Sequence, residues 1–332
     1  MAQSSTASSG FVEAVQRIQS RLKLVERSMR EQLTAATAPL PQLGAQVLGS
    51  GGKRLRPALL LWAAEICGYT GPRCIQVAAA VELLHTATLL HDDVVDEADQ
   101  RRGAPTANDT WGNHASVLVG DFLFATSFSL MAADGDVRIM QAMAHAVTQL
   151  AEGEVLQLVS TGKLSEEEDE YLEVVDRKTA ALISAACRIG AGLGDAPPAG
   201  QEALSLFGRE IGIAFQLVDD ALDYMAEEAR LGKVVGKDLM EGHGTLPLIY
   251  LYRNATASER QMISEILLAE EVTRQQVDQV IGMMKDYKAI DYTLQTASRY
   301  VAQAKQRLAV FDGSPDREVL TAIADYIVAR DR

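Results

Sequence analysis

Apolar residues recur at helical spacing along almost the whole chain, and this periodicity limits the possible folds more than any other feature. No segment alternates apolar and polar residues as a half-buried strand would. Aromatic residues make up only 5%, while alanine and leucine are abundant, a composition that favours helices over strands. With 332 residues, 48% of them hydrophobic, the chain can bury one large core. We therefore predict an all-α protein, folded as a single large helical bundle.

The chain divides into a short tail and one domain. Residues 1–10 are small and polar, so we predict that they form a loose N-terminal tail, and they lack the features of a signal peptide. No linker is visible in residues 11–332, which we predict to be a single all-helical domain. The chain has only three cysteines, at spacings that indicate no disulfide framework, which fits a cytoplasmic location.

The apolar periodicity also predicts where the helices lie. The longer helices are predicted at residues 11–34, 59–67, 75–99, 116–132, 137–159, 165–193 and 202–230. Shorter helices are predicted at residues 258–269, 272–286, 291–311 and 316–330.

Two clusters of aspartates interrupt the apolar pattern. Asp92 and Asp96 are four residues apart, so they share one face near the C-terminal end of a helix. The helix dipole disfavours each carboxylate there by about 0.3–1 kcal/mol. One such cluster is most simply explained as a solvated helix end. The same spacing recurs at Asp219, Asp220 and Asp223, late in another helix, and the repetition favours a functional site.

The residue types in and around these clusters suit Mg²⁺ and phosphate. Carboxylate oxygens without nearby Cys or His ligands are preferred by Mg²⁺, which also shares its coordination shell with phosphate oxygens. Cationic side chains that could bind two polyanions occur at Lys53, Arg54, Arg56, Arg177, Lys178, Lys233 and Lys237. The net charge of −14 argues against nonspecific nucleic-acid binding but does not exclude an anionic substrate bound through metal ions.

Taken together, these motifs resemble the trans-isoprenyl diphosphate synthase family, and most of all its long-chain bacterial octaprenyl and heptaprenyl members. The aspartate-rich motifs are LLHDDVVDEADQRRG and GIAFQLVDDALDYM. The segments GGKRLRP, ELLHTATLLHDD, ASVLVGDFLFA, DRKTA and LGKVVGKDL followed by GTLPLIY appear in the family's order, and the resemblance covers about residues 45 to 250. It implies a bundle around a deep central cavity, usually in a homodimer, that joins isopentenyl diphosphate to an allylic diphosphate with Mg²⁺.

The resemblance also implies residue roles. The ligands of Mg²⁺ would be Asp92, Asp96 and Asp219, assisted by Asp93 and Asp223. The allylic diphosphate would be held by Arg101, Lys178, Thr179, Gln216 and Lys233. Isopentenyl diphosphate would be held by Lys53, Arg56, His85 and Arg102. The catalytic set would be Asp92, Asp96, Lys178 and Asp219, while the roles of Arg54 and Lys237 stay open.

Product length is predicted from the residues one turn or so before Asp92. Ala87 and Thr88 are small, whereas short-chain members often have a bulky aromatic residue there as a floor, so we predict a long all-trans product. One departure from the family is His243, where many members have a lysine, and this puts part of the pyrophosphate affinity in doubt.

Three alternatives stay open. The first is a short-chain farnesyl or geranylgeranyl diphosphate synthase, and the second is a subunit that depends on a partner chain. A terpene cyclase or squalene-type synthase would share the acidic motifs but would lack the GGKRLRP and RRG segments. The exact product length and the preferred primer are not predicted, and a long apolar product would favour transient membrane contact.

Overall fold

The structure is a computed structural model that describes residues 2–34, 38, 40–49, 54–101, 103–225, 235–269 and 271–329. The described residues are almost entirely helical, which confirms the predicted all-α fold. The first helices are α1 Ala2–Thr34, α2 Leu40–Gly49, α3 Leu55–Ile66, α4 Arg73–Val95, α5 Ala107–Trp111, α6 Asn113–Asp134, α7 Val137–Ser160 and α8 Glu168–Val175. They are followed by α9 Ala181–Leu193, α10 Pro198–Asp223, α11 Lys237–Met240, α12 Leu246–Asn254, α13 Ala257–Leu267, α14 Arg274–Asp286, α15 Ala289–Arg307 and α16 Pro315–Ala329.

Several boundaries differ from those predicted. Helix α1 begins at Ala2, so residues 2–10 of the predicted loose tail are helical; they contain no proline, and they continue the helix that begins the predicted bundle. Helix α4 ends at Val95, four residues earlier than predicted, because Glu97 adopts a left-handed conformation (φ 48°) that stops the helix. The assignment of residues 11–332 to one domain stays a prediction.

A small antiparallel hairpin follows α4. Its strands, β1 Gln100–Arg101 and β2 Ala104–Pro105, are two residues long and joined by a turn in which Gly103 has a φ of 76°. No strand was predicted here, since two residues are too few to show an alternating pattern.

The predicted helix at residues 165–193 is interrupted. At its start the N–H of Glu167 donates to the Ser165 hydroxyl (3.1 Å), and α8 begins only at Glu168. Between α8 and α9 lies a π-helical turn, Asp176–Ala180, which contains the DRKTA motif. Such turns are rare and are often found at functional sites.

Helices α4 and α10 supply much of the core and carry the two aspartate clusters at their C-terminal ends. Helix α4 packs on α6, and α10 packs on α9, α15 and the π turn. The approach of α10 to the π turn requires Gly212, because a Cβ there would lie 2.6 Å from Ala180 Cα. Close packing of apolar helices therefore brings the acidic end of α10 beside the cationic π turn.

Two helices, α4 and α6, are long and apolar enough to cross a membrane by length and composition alone. The apolar stretch of α4 is mostly buried inside the chain, as in the core helix of a folded domain. Only a third of the corresponding stretch of α6 is buried, and Leu118 on this helix is 65% exposed. Helix α6 therefore presents an apolar face on the surface of the single chain.

Candidate active site

The first acidic cluster lies at the end of α4. Asp92 is partly buried, and burial, reinforced by the nearby Glu154 carboxylate, raises the pKa of Asp92 to about 7. Asp96 follows α4, where its N–H donates to the Asp92 carbonyl oxygen (2.8 Å) and its side chain is exposed. The two carboxylates therefore concentrate negative charge at a partly dehydrated position, and a bound cation would relieve this repulsion.

The side chain of Asp93 is oriented differently from those of Asp92 and Asp96. Its side chain is only 4% exposed, and its Oδ1 accepts the Nε–H of Arg101 at 2.7 Å. Adjacent helical residues point about 100° apart, so Asp93 faces Arg101 of the hairpin while Asp92 is directed to a different side of α4. The structure thus pairs two residues that were predicted to contact different ligands, Mg²⁺ for Asp93 and the allylic diphosphate for Arg101.

The second acidic cluster lies in the last two turns of α10. Asp220 is buried and accepts hydrogen bonds from the Tyr171 hydroxyl and from Gln216 Nε2, the latter at 2.7 Å. Burial raises the pKa of Asp220 to about 7 despite these two bonds. Asp219 is partly buried, and Asp223 accepts the backbone N–H of Asp238 at 3.0 Å. Burial also raises the pKa of Asp223, so this cluster too is short of positive charge.

A third group of ligands, which sequence reasoning missed, lies beside the second cluster. Ligand atoms of Asp238, Glu241 and His243 all lie within 4.8 Å of one another. Burial, followed by the charges of Asp220 and Asp223, raises the pKa of Asp238 well above its ordinary value. The available signals were the position of Asp238 in the quoted LGKVVGKDL segment and the departure from the family at His243. This concentration of carboxylates fits a divalent cation, because a cation would favour the charged form of Asp238.

Lys178 connects the acidic groups. It lies in the π turn, where its Nζ donates to Glu154 Oε2 of α7 at 2.7 Å. The contact depends on Gly153, since a Cβ there would lie 2.6 Å from the Lys178 backbone nitrogen. The Lys178 ammonium lowers the pKa of Asp92 and also opposes protonation of His243. The first cluster and the 238–243 segment therefore share one electrostatic neighbourhood around Lys178.

His243 occupies the position at which a lysine was expected. Its Nε2 lies 3.3 Å from Gln157 Nε2, and burial lowers the pKa of its imidazole. A neutral imidazole cannot supply the positive charge of a lysine, so the electrostatic contact to a pyrophosphate is weaker here. The Asp96 carboxylate acts in the opposite direction and favours the protonated form of His243, so the first cluster interacts electrostatically with this imidazole.

Two of the residues predicted to hold the allylic diphosphate, Thr179 and Gln216, contact each other. The Thr179 hydroxyl donates to Gln216 Oε1 at 2.9 Å, and Gln216 in turn donates to Asp220. A chain of hydrogen bonds therefore joins the π turn to the second acidic cluster. Tyr171 completes this chain and was missed, because an isolated tyrosine in α8 carries no local signal.

The structure describes two of the four residues predicted to hold isopentenyl diphosphate, and these two lie together. Arg56 Nη1 lies 2.9 Å from His85 Nε2, as expected for residues that share one ligand. Lys53, Arg102 and Lys233 lie outside the described residues. Ala87 is buried, while Thr88 is partly exposed and its hydroxyl donates to the His85 carbonyl at 2.9 Å.

The raised pKa values predict how stability depends on pH. Asp92 and Asp220 have ordinary pKa values of 3.8 and folded values of about 7, so the folded protein binds protons more tightly than the unfolded chain. The stabilisation is complete below pH 3.8 and is lost as the pH rises towards 7. In a chelating buffer, the melting temperature is expected to fall between about pH 4 and about pH 7, and Mg²⁺ is expected to restore it. If the melting temperature of Asp92→Asn falls by the same amount over this pH range, Asp92 does not contribute to the pH dependence of stability.

The chain is similar to known proteins over most of its length. The family model described as "Polyprenyl synthetase" matches residues 38–284. The octaprenyl diphosphate synthase of Escherichia coli (strain K12) is 41% identical over 308 residues, which cover 93% of this chain and 95% of that protein.

Solved structures are equally similar. The polyprenyl synthase of Caulobacter crescentus CB15, crystallised with calcium and isoprenyl diphosphate, has a TM-score of 0.92 and is 38% identical, covering 97% of this chain and 98% of that one. A decaprenyl diphosphate synthase from Rhodobacter capsulatus has a TM-score of 0.91 and is 41% identical, covering 97% and 99% of the two chains. The similarity extends over nearly the whole chain, including both aspartate clusters.

Proposed function

The chain belongs to the polyprenyl synthetase family, and from this premise we propose that it adds isopentenyl diphosphate repeatedly to an allylic diphosphate, with Mg²⁺, to make a long all-trans polyprenyl diphosphate. It is a prenyltransferase, and its substrates are these two diphosphates. The observation that carries the proposal is that the fold assembles acidic side chains from three places. The charge of Lys178 acts on Asp92 of α4 and on His243 of the 238–243 segment, and Asp238 of that segment is hydrogen-bonded to Asp223 of α10.

The residues divide into a metal-binding group and a diphosphate-binding group. Mg²⁺ would be held by Asp92 and Asp96 on one side and by Asp219 and Asp223 on the other. When bound, the metal neutralises the charge that develops on the leaving diphosphate. The charge of Lys178 acts on Asp92 and on His243, so this lysine would add a cation that stabilises the leaving diphosphate.

The reaction needs no side-chain nucleophile. The bond between the allylic carbon and its diphosphate oxygen breaks, and the double bond of isopentenyl diphosphate attacks the resulting allylic cation. One proton then leaves the new carbon chain, with the released pyrophosphate as its proposed acceptor. Arg56 and His85 hold the diphosphate group of isopentenyl diphosphate, so that the double bond of this substrate lies within reach of the allylic cation. The two substrates then react within one complex and do not have to meet in solution.

A long product is supported by the residues that precede Asp92. Thr88 lies one turn before Asp92 on the same face of α4, and neither Thr88 nor Ala87 has a side chain large enough to stop a growing chain. We propose that the chain elongates along α4 towards α6, and that a long apolar product makes transient contact with a membrane. We also propose that the protein is located in the cytoplasm.

We also propose a homodimer. Its support is the apolar face formed by exposed residues of α6 and α7, among them Leu118, Leu158 and Val159. In the single chain these side chains are 60–65% exposed, which would favour association.

Leu118→Glu is expected to convert the dimer into a monomer, because it would bury a charge without a partner at the interface. Light scattering coupled to size exclusion measures the mass directly. Leu268→Glu is the matched control: Leu268 is 70% exposed, lies just beyond the end of α13, and should leave the dimer intact. A wild-type protein that is monomeric at micromolar concentration would contradict the proposal.

The function is tested by supplying radiolabelled isopentenyl diphosphate with dimethylallyl, geranyl, farnesyl or geranylgeranyl diphosphate. Purified protein with Mg²⁺ is expected to form products longer than geranylgeranyl diphosphate, and a chelator should abolish their formation. Products no longer than farnesyl or geranylgeranyl diphosphate would favour the short-chain alternative. No product with any primer would favour a subunit that requires a partner chain.

A further inference from the structure

Arg54 has an unusual backbone conformation at the start of α3. It is the residue before the helix, with φ 46° and ψ 40°, and no side chain caps the helix there. This left-handed region is unfavourable for a residue with a Cβ, so interactions elsewhere must stabilise it. The carbonyl of Arg54 accepts the N–H of Ala58 at 3.1 Å, so its position fixes where α3 begins.

The side chain of Arg54 points into the protein. Its Nη1 donates to Glu82 Oε1 at 3.0 Å, its Nη2 donates to the Leu48 carbonyl at 3.0 Å, and its Nε lies 3.5 Å from Glu26. The side chains of Arg54 and Glu82 are only 14% and 6% exposed, so water screens their attraction weakly. Arg54 therefore ties the start of α3 to α1, to α2 and to the middle of α4.

A second contact runs parallel to this one. Arg56, two residues after Arg54, contacts His85, which is three residues after Glu82 on α4. Residues three apart share one face of a helix, so Glu82 and His85 form adjacent contact points for the same segment. A displacement of Arg54 from Glu82 would shift the start of α3 and move Arg56 relative to His85.

We propose that Arg54 is a positioning residue for isopentenyl diphosphate: its ion pair with Glu82 holds Arg56 against His85 in the arrangement that receives the diphosphate. The inference rests on the proposed function, which assigns Arg56 and His85 to that substrate. Arg54 itself does not contact the diphosphate, because its guanidinium is occupied by Glu82 and Leu48. Small displacements of substrate-positioning groups reduce activity strongly, so the effect should be measurable.

The test compares the KM for each substrate in Arg54→Gly and Arg54→Lys. Glycine tolerates the left-handed backbone, so Arg54→Gly removes the side chain without adding strain. Lysine keeps the charge but loses the planar fork that contacts Glu82 and Leu48 together. We expect the KM for isopentenyl diphosphate to rise about tenfold in Arg54→Gly and less in Arg54→Lys, while the KM for the allylic primer changes less than about twofold.

The control is a similar ion pair away from the site. Arg307 donates to Glu210 Oε1 at 2.7 and 2.9 Å, and Glu210 is as buried as Glu82. Arg307→Lys should lower the melting temperature and leave the ratio of the two KM values unchanged. If Arg54→Gly behaves like Arg307→Lys, with a lower melting temperature and an unchanged ratio, Arg54 is structural only and the inference is wrong.

Further variants keep the test decisive if Arg54→Gly does not fold. Glu82→Gln should reproduce the selective rise in KM, and combining it with Arg54→Lys should add little, because both changes break one interaction. Fully additive effects would contradict the inference. Failure of the proposed function is distinguishable, since it would appear as a wild-type protein with no turnover at all.

Discussion

Asp92→Asn is expected to reduce turnover by about two to three orders of magnitude, the scale on which removing one stabiliser of transition-state charge acts. The same substitution should raise the melting temperature of the metal-free protein above about pH 7. The reason is that ionised Asp92 is destabilising in the folded state, where burial and Glu154 raise its pKa, and asparagine carries no such charge. Steady-state turnover and thermal melts in a chelating buffer measure the two effects.

A lower turnover together with a higher melting temperature distinguishes a functional carboxylate from a structural one. Asp99→Asn is the matched control, because Asp99 is an exposed carboxylate in the same motif and has no assigned role. It should leave both turnover and melting temperature near the wild-type values. A loss of helicity in Asp92→Asn by circular dichroism, or wild-type turnover in this variant, would contradict the assignment of Asp92 to the metal.

Thr88→Phe is expected to shorten the product to farnesyl or geranylgeranyl diphosphate. Thr88 is partly exposed and lies one turn before Asp92, so an aromatic ring there would project into the proposed elongation path. Ala87 is a poorer position for the test, because it is fully buried and a larger side chain would overpack the core. Chromatography of the dephosphorylated labelled products reports their length.

Thr88→Val controls for the loss of the hydroxyl, which donates to the His85 carbonyl. This variant has nearly the shape of the wild-type side chain and should keep the long product. An unchanged product distribution in Thr88→Phe, with turnover preserved, would mean that the growing chain does not pass this residue.

Much of the fold could be predicted because helix formation and shared faces follow short-range rules. A period of 3.6 residues predicted the helices, and the spacing of four predicted that Asp92 and Asp96 lie together. The contacts between Arg56 and His85 and between Thr179 and Gln216 agree with the shared roles that the family resemblance implied.

Other features could not be predicted from local pattern. The ion pair of Asp93 with Arg101 depends on how the chain turns back after α4. The link from Arg54 to Glu82 crosses 28 positions of the sequence and joins different helices. The DRKTA segment forms a π turn between two α-helices, and five residues are too few for their apolar pattern to reveal the change in helix type.

The sequence by itself determined the helical class of this protein, the placement of two acidic clusters at helix ends, and the residue types that suit a metal and diphosphates. Only the tertiary structure decided which of these carboxylates face one another, and that Glu154, Asp238 and Lys178 join them. The physical reason is that desolvation and Coulomb forces act through space. The pKa of Asp92 is therefore raised first by burial and then by Glu154, a residue 62 positions away in the chain, whereas its neighbour Asp93 forms an ion pair with Arg101.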